Sequence, residues 1–301
     1  MKTEMRPKCP HQLSSRELKA MSLGASEPLE KDWWDLVLYN RLFLLEVCCS
    51  PNSVLAEHCL QTFGPQSAER LAQWNGGDVE TAEGRKLIKS VLREKRPRVV
   101  WLSPECGPYS PMQRLNQRNP QQRLSLEEKR SHARKQYEGI CEIAKEAHQI
   151  GSIFVVELSE KCEAWSQSWV QELEALGAVT GVCHGCQVGL KNPQGELLHK
   201  GWKLLGNCEE LIRHMTLKCP GNHKHGLCEG KQVCRTTAYY TPQFAARFLG
   251  HFSHQESHVH LVNELMDGAP GTQPMIASPH AHVTGIMNPK SLVWEKWNSL
   301  G

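Results

Sequence analysis

Short apolar runs alternate with longer amphipathic stretches along the middle of the chain. The runs at residues 41–47, 99–102 and 153–158 are rich in Val, Leu, Ile and aromatic residues, as is typical of buried strands. Residues 83–94 and 125–150 carry apolar residues at helical spacing. Strands separated by helices of this length pair in parallel, because each connection must cross over the sheet. We therefore predict an α/β fold with a mostly parallel sheet.

Weaker patterns complete this domain, which we place at residues 32–256. They predict helices at 53–63 and 165–176, a strand near 68–74, and a less certain strand at 178–183 that Gly181 interrupts. Residues 1–31 show little periodicity, and residues 257–301 mix Gly, Pro, His and Ser. We expect a flexible lead-in and a linker-like tail at these two ends.

The net charge, the lack of long apolar runs and the number of cysteines indicate which kinds of protein this chain can be. The chain of 301 residues has 35 Lys and Arg against 32 Asp and Glu, a net charge of +3, so binding to nucleic acid would depend on local basic patches. No run of about 18 apolar residues occurs, and the N-terminus lacks an apolar signal segment. Thirteen cysteines without an export signal indicate reduced thiols. We expect an intracellular protein of the nucleus or cytoplasm, neither secreted nor bound to a membrane.

Chemically distinctive residues follow the three best predicted strands. In open α/β sheets, ligands bind beyond the carboxyl ends of the strands. The segment Ser103-Pro-Glu-Cys-Gly-Pro-Tyr-Ser follows one such strand and places Cys106 in a turn bounded by prolines. An exposed thiol on a rigid turn suits a nucleophile, whereas the alternative is a buried structural cysteine. A carboxylate, Glu157, ends another strand and is either catalytic or a salt-bridge partner.

These segments resemble the motifs of the DNA cytosine-C5 methyltransferases, in the family's order. The Cys106 turn resembles the Pro-Pro-Cys-x-x-Phe-Ser turn, and Leu44-Leu-Glu-Val-Cys-Cys-Ser-Pro-Asn-Ser occupies the place of the first S-adenosylmethionine loop. Asn75-Gly-Gly-Asp-Val resembles the Gly-Asp-Ile stretch, and Phe154-Val-Val-Glu-Leu resembles the strand ending in Glu-Asn-Val. The resemblance extends over residues 42–252.

Later segments resemble divergent, phage-like members of the family and methyltransferase-like domains of mobile-element proteins. Cys186-Gln-Val-Gly-Leu and Lys200-Gly-Trp-Lys-Leu-Leu-Gly-Asn are similar to the late Tyr-Gly and Lys-Pro-Thr-Arg-x-x-Thr-Asn signature. The resemblance implies a Rossmann-like S-adenosylmethionine methyltransferase fold. It also implies that Cys106 attacks C6 of a flipped cytosine while Glu157 holds the N3 edge. The residues it assigns to the cofactor are Glu46, Ser50, Asn52, Ser53 and Asp78.

Three departures from the family pattern keep a second hypothesis open. The first loop has no glycine, Leu158 follows Glu157 in place of Asn, and Glu105 replaces a proline beside Cys106. We expect the Glu105 carboxylate to raise the pKa of the thiol and weaken the nucleophile. The alternative is therefore a catalytically degenerate nucleic-acid-binding module of a mobile-element protein.

A polar stretch after Cys106 is the predicted contact with nucleic acid, for which DNA is the expected partner and RNA the alternative. Residues 112–123 are rich in Arg, Gln and Asn, which suits a mobile flap on phosphates and base edges; the alternative is a solvated surface loop. The late motif contributes two further residues. The predicted contacts are Ser110, Gln113, Arg114, Asn116, Gln117, Arg118, Gln187 and Lys203.

Cysteine and histidine pairs in residues 183–234 predict a possible zinc site. Cys183-His-Gly-Cys186 and the later Cys219-Pro-Gly-Asn-His223 each supply two ligands of the kind that tetrahedral zinc takes. The predicted ligands are Cys183, Cys186, Cys219 and His223. If zinc binds there, a zinc-stabilised structural domain becomes a third hypothesis for the function. The alternative is a polar surface turn that meets phosphates.

Overall fold

A six-stranded mixed sheet organises the residues that the computed structural model describes, which are 42–117, 119–228, 233 and 237–252. Its order is β2-β1-β3-β4-β6-β5, with β1 to β4 parallel and β6 antiparallel to both of its neighbours. The strands are β1 Leu44–Val47, β2 Ala68–Leu71, β3 Val99–Leu102, β4 Ile153–Ser159, β5 Val179–His184 and β6 Gly201–Gly206. The predicted α/β fold with a mostly parallel sheet is confirmed, and its arrangement is Rossmann-like.

Helices cover both faces of the sheet. They are α1 Val54–Phe63, α2 Ala82–Lys95, α3 Pro120–Gln149, α4 Ser168–Glu174, α5 Glu209–Met215 and α6, residues 242–252. Strand residues alternate between the faces: Val100 packs with α2, α3 and α4, whereas Trp101 packs with α1, α5 and α6. Burial on both faces explains why the central strands are continuous apolar runs.

The polar stretch after Cys106 is largely helical, which corrects the prediction of a flap. Pro111–Gln117 forms a 3₁₀ helix, and α3 begins at Pro120 rather than near Ser125. Asn119 caps α3, because its side-chain oxygen accepts a hydrogen bond from the amide of Gln122 at 2.8 Å. Proline at the first helical position suits this start, since its fixed φ is already helical.

Strand β5 is regular in spite of Gly181. The glycine lies where the end of α5 crosses the strand, and a Cβ there would come within 2.2 Å of the Thr216 hydroxyl. The residue that weakened the prediction is thus required by close packing. Strand β6 and helices α5 and α6 were not predicted from the sequence.

The flexible lead-in predicted at residues 1–31 and the linker-like tail predicted at residues 257–301 both lie outside the described residues. Both stay predictions. Within the described part of the chain, no helix is both long and apolar enough to cross a membrane.

Candidate functional site

Cys106 and Glu157 meet at the carboxyl ends of β3 and β4, which are neighbouring parallel strands. Both side chains are half-buried. Helix α3 holds the Cys106 turn from behind: the amide of Glu105 donates to Gln136 Oε1 at 2.6 Å, and the Tyr137 hydroxyl donates to the Glu105 carbonyl at 2.7 Å. The turn is thus fixed through its backbone, as the proline-bounded sequence indicated.

Tyr240 links Glu157 to the end of β3. Its hydroxyl donates to Glu157 Oε2 at 2.6 Å and accepts a hydrogen bond from Trp101 Nε1 at 2.9 Å. It also lies 2.9 Å from the hydroxyl of Ser103. This network holds the Glu157 carboxyl through Tyr240, which also contacts Trp101 and Ser103 at the end of β3, and sequence analysis did not find Tyr240.

Lys200 is a second site residue that sequence analysis missed. Its ammonium donates to the carbonyl of Thr237 and is close enough to lower the pKa of both Glu157 and Cys106. The Lys200 carbonyl accepts a hydrogen bond from the amide of Gly185 at 2.6 Å. One thiol, one carboxyl and one ammonium therefore share this end of the sheet.

Burial sets the protonation of the pair. It raises the pKa of the Glu157 carboxyl, against the lowering effects of the Tyr240 hydrogen bond and of Lys200. The pKa of the Cys106 thiol is raised first by burial and next by the Glu157 charge. We had expected Glu105 to raise it, but that side chain is exposed and turned toward Gly107. The carboxylate that raises the pKa of the Cys106 thiol is therefore Glu157 and not Glu105.

The residues predicted to hold the cofactor lie in two environments. Glu46 and Ser53 are buried and bonded to each other, the Ser53 hydroxyl donating to Glu46 Oε1 at 2.7 Å. Ser50 and Asn52 lie at the rim of the loop after β1, where the amide of Asn52 donates to the Ser50 hydroxyl. Asp78 is half-buried and accepts a hydrogen bond from the amide of Glu80. Only the rim residues and Asp78 could meet a ligand without rearrangement.

The loop after β1 makes its turn without glycine. Cys48 adopts the left-handed conformation, with φ of 60°, in which a glycine is normally favoured. Trp74 Nε1 donates to the Cys49 carbonyl at 3.1 Å, and Arg70 donates to the carbonyl of Pro51. The chain thus turns from strand to helix through Cys48, and the turn is held by Arg70 of β2 and by Trp74 just after β2. Ser50, Asn52 and Asp78 are accessible at this turn, whereas Glu46 and Ser53 are buried.

Glu46 should make folding stability depend on pH. Burial raises the pKa of its carboxyl from 4.5 to about 7, and Oε2 has no hydrogen-bond partner among the described residues. The folded chain therefore keeps this proton to higher pH than the unfolded chain, so its stabilising effect is present below about pH 4.5 and is lost as the pH rises through about 7. We expect the free energy of unfolding to fall by about 3 kcal/mol over that range from this group alone.

The variant Glu46→Gln isolates this effect in urea denaturation at pH 5 and pH 8. It keeps an acceptor for Ser53 and removes the titration, so it should be more stable than the parent protein at pH 8 and gain little at pH 5. The exposed Glu57→Gln in the first turn of α1 controls for the loss of one negative charge. An equal gain for Glu46→Gln at both pH values would show that Glu46 does not titrate in this range.

The predicted nucleic-acid contacts are scattered. Gln113 donates to the Gly107 carbonyl at 2.9 Å, and the exposed Arg114 pairs with Glu163 at 3.1 Å, so both lie beside the Cys106 turn. Lys203 points its ammonium at the Trp165 ring, 4.9 Å from the centroid. The remaining contacts fall into three groups. Ser110 precedes the 3₁₀ helix and Gln117 ends it, Gln187 adjoins Cys186, and Arg118 and the side chain of Asn116 lie outside the described part of the chain.

A cysteine–histidine cluster forms beside β5, with a different membership from the predicted one. The ligand atoms of Cys186, Cys219, His223 and His225 all lie within 4.8 Å of one another. Cys183 is fully buried in the core, where burial raises its pKa to about 12. His225 takes the place that the spacing of the pairs had assigned to Cys183.

Comparison with known proteins gives a loose similarity of fold to solved structures. No protein-family model and no curated protein matches the chain. The chain is similar to the crystal structure of the S. pombe Dnmt2 methyltransferase, with a TM-score of 0.34 and 11% sequence identity. The similarity covers 61% of this chain and 57% of that one, so the chain spans a little over half the length of that protein. At this TM-score the similarity carries no argument about family or activity, and the Rossmann-like assignment rests on the sheet itself.

Proposed function

We propose that the chain is an S-adenosylmethionine-dependent methyltransferase that modifies C5 of cytosine in DNA through a cysteine nucleophile. One observation supports this more than any other. Cys106 and Glu157, predicted from separate motifs, lie together with Lys200 at the ligand-binding end of the sheet. A divergent, mobile-element origin is part of the proposal and rests on the motif resemblance.

Cys106, Glu157 and Lys200 each have a separate role in the proposed reaction. The Cys106 thiolate forms a bond to C6 of a cytosine that has left the base stack, and electron density moves to C5. Burial raises the pKa of Glu157 and so favours the protonated carboxyl, which would donate its proton toward N3. Lys200 stabilises the thiolate. After C5 has been methylated, a base from solvent takes the C5 proton, the C5–C6 double bond re-forms as the bond from sulfur to C6 breaks, Cys106 leaves as the thiolate, and the N3 proton returns to Glu157.

When bound, S-adenosylmethionine supplies the electrophilic methyl group. Ser50, Asn52 and Asp78 would hold it at the end of β1. Gln113 and Arg114, beside the Cys106 turn, would contact the phosphates and bases of the DNA. Arg114 would exchange its partner Glu163 for a phosphate.

A catalytically silent nucleic-acid-binding module is the second candidate. The hydrogen bond from Ser53 to Glu46 favours this second candidate, because the bond keeps two of the five predicted cofactor residues from contact with a ligand. The raised pKa of Cys106 favours it too, since little thiolate is present at neutral pH. Calorimetric titration with S-adenosylmethionine separates the two candidates.

Covalent trapping tests the proposal directly. With 5-fluorocytosine in a DNA duplex, the bond from sulfur to C6 forms and C5 is methylated, but fluorine blocks the final elimination. We expect a stable adduct that requires S-adenosylmethionine and whose rate rises from about pH 7 to about pH 9, because the raised pKa of Cys106 limits the thiolate. No adduct from protein with bound cofactor would favour the silent module, and an adduct on RNA alone would change the substrate.

A further inference from the structure

We propose that the chain binds one structural zinc ion through Cys186, Cys219, His223 and His225. Two thiolates and two imidazoles form a donor set that Zn²⁺ takes in tetrahedral structural sites. Three of the four side chains come from one loop, and Cys186 comes from the turn after β5. This inference does not depend on the proposed methyltransferase activity.

The spacing of the ligand atoms matches a tetrahedral zinc site. Bond lengths of about 2.3 Å to sulfur and about 2.0 Å to nitrogen place neighbouring sulfur and nitrogen ligands about 3.6 Å apart. Cys219 Sγ lies 3.7 Å from His223 Nε2 and 3.5 Å from His225 Nε2. The two imidazoles therefore present the same ring nitrogen to the same sulfur at ligand distance.

The surroundings of the cluster orient its ligands as they do around bound metals. The amide of Gly221 lies 3.3 Å from Cys219 Sγ and donates to it, which favours a thiolate. His223 Nδ1 lies 3.0 Å from Asn222 Oδ1, and a proton on Nδ1 leaves Nε2 as the lone-pair donor. His184 Nδ1 accepts the amide of Cys219 at 2.9 Å and fixes the backbone of that ligand.

The loop that carries three ligands has little regular structure of its own. It is tied at its start by a bridge between Leu217 and Cys183, and at its end by a bridge between Gly226 and Leu198. Residues 218–225 between these bridges form neither helix nor strand. A metal that joins this loop to Cys186 would supply the constraint that its backbone lacks.

The site also adjoins the candidate active site. The Gly185 amide, next to Cys186, holds the carbonyl of Lys200 at 2.6 Å, and the Lys200 ammonium acts on Cys106 and Glu157. Zinc would therefore stabilise the turn that positions Lys200. The metal has a structural role here, because all four of its ligands are supplied by the protein.

Metal analysis of the purified full-length chain tests the site. We expect about one zinc per chain, and removal by a chelator should lower Tm by roughly 10 °C. Cobalt substituted for zinc should give tetrahedral d–d bands and a thiolate charge-transfer band. Metal-free protein whose Tm does not change with chelator would overturn the proposal, as would a cobalt spectrum without thiolate bands.

Cys186 belongs to this site and to the one predicted by spacing, so Cys186→Ser tests whether the metal binds here, and Cys183→Ala distinguishes the two sets. Cys186→Ser should lose most of the bound zinc and the cobalt charge-transfer intensity of one thiolate, whereas Cys183→Ala should keep about one zinc per chain. Retention of zinc by Cys186→Ser, or loss of zinc from folded Cys183→Ala, would refute the proposed set of ligands. If Cys186→Ser does not fold, the cobalt spectrum of the parent chain still decides the matter. S-adenosylmethionine binding is measured separately, so failure of one proposal is distinguishable from failure of the other.

Discussion

Replacing Cys106 with serine should abolish covalent trapping of 5-fluorocytosine DNA, with a loss on the order of 10³-fold or more. A hydroxyl is far less ionised than a thiol near neutral pH, and the turn that presents it would be unchanged. The fold should survive, because the backbone contacts of the turn with Gln136 and Tyr137 do not involve the sulfur. Denaturing gel electrophoresis of the trapped complex measures the effect.

A matched control is available in Cys228, an exposed thiol. Cys228→Ser should form adduct at the rate of the parent protein, which excludes nonspecific capture by an accessible cysteine. Weak binding of DNA by Cys106→Ser should persist, since phosphate contacts do not require the nucleophile. An adduct formed equally well by Cys106→Ser would remove Cys106 from the mechanism.

Truncation of Trp101 to alanine should cost about 3–5 kcal/mol of folding free energy, the usual range for a large buried aromatic side chain. Trp101 is fully buried in β3 and packs edge-on against Tyr240, Phe244 and Phe248, with ring centroids 5.3 to 5.9 Å apart. Its Nε1 proton also holds the Tyr240 hydroxyl. Urea denaturation gives the free energy directly.

Trp74→Ala is the comparison for this prediction, because that ring is 51% exposed. It should cost about 1 kcal/mol or less, chiefly the hydrogen bond from its indole to Cys49. Trp101→Phe should fall between the two, since it keeps most of the packing and loses the bond to Tyr240. Equal losses at Trp74 and Trp101 would contradict the burial that distinguishes them.

The sequence predicted strands β1 to β4 and, through a weaker pattern, β5, but it did not predict β6. Strands β1, β3 and β4 are mainly apolar because helices bury both of their faces. Strand β6 inserts between β4 and β5 in reverse direction, an order that depends on tertiary packing rather than on local pattern. The signal for α6 was present, because Phe244, Phe248 and Phe252 recur every four residues.

For the candidate site, the rule that ligands bind at strand ends placed Cys106 and Glu157 correctly beside each other. The rule could not find Tyr240 and Lys200, because neither residue follows the end of a predicted strand. Cys183 was assigned to the metal from spacing alone, but it follows Gly181 on the inward face of β5, where alternate residues are buried. The alternation of buried and exposed residues along β5 would have excluded Cys183 from the predicted metal ligands.

The Tyr240 hydroxyl joins groups that lie far apart along the chain, and this has a consequence for biosynthesis. Its partners Glu157, Ser103 and Trp101 precede it by 83, 137 and 139 residues. A nascent chain that emerges from the ribosome in order therefore exposes β3 and β4 long before the residue that pairs with their polar groups. We expect this sheet to close late in translation, so that ribosome stalling before residue 240 yields a chain open to chaperones and proteases.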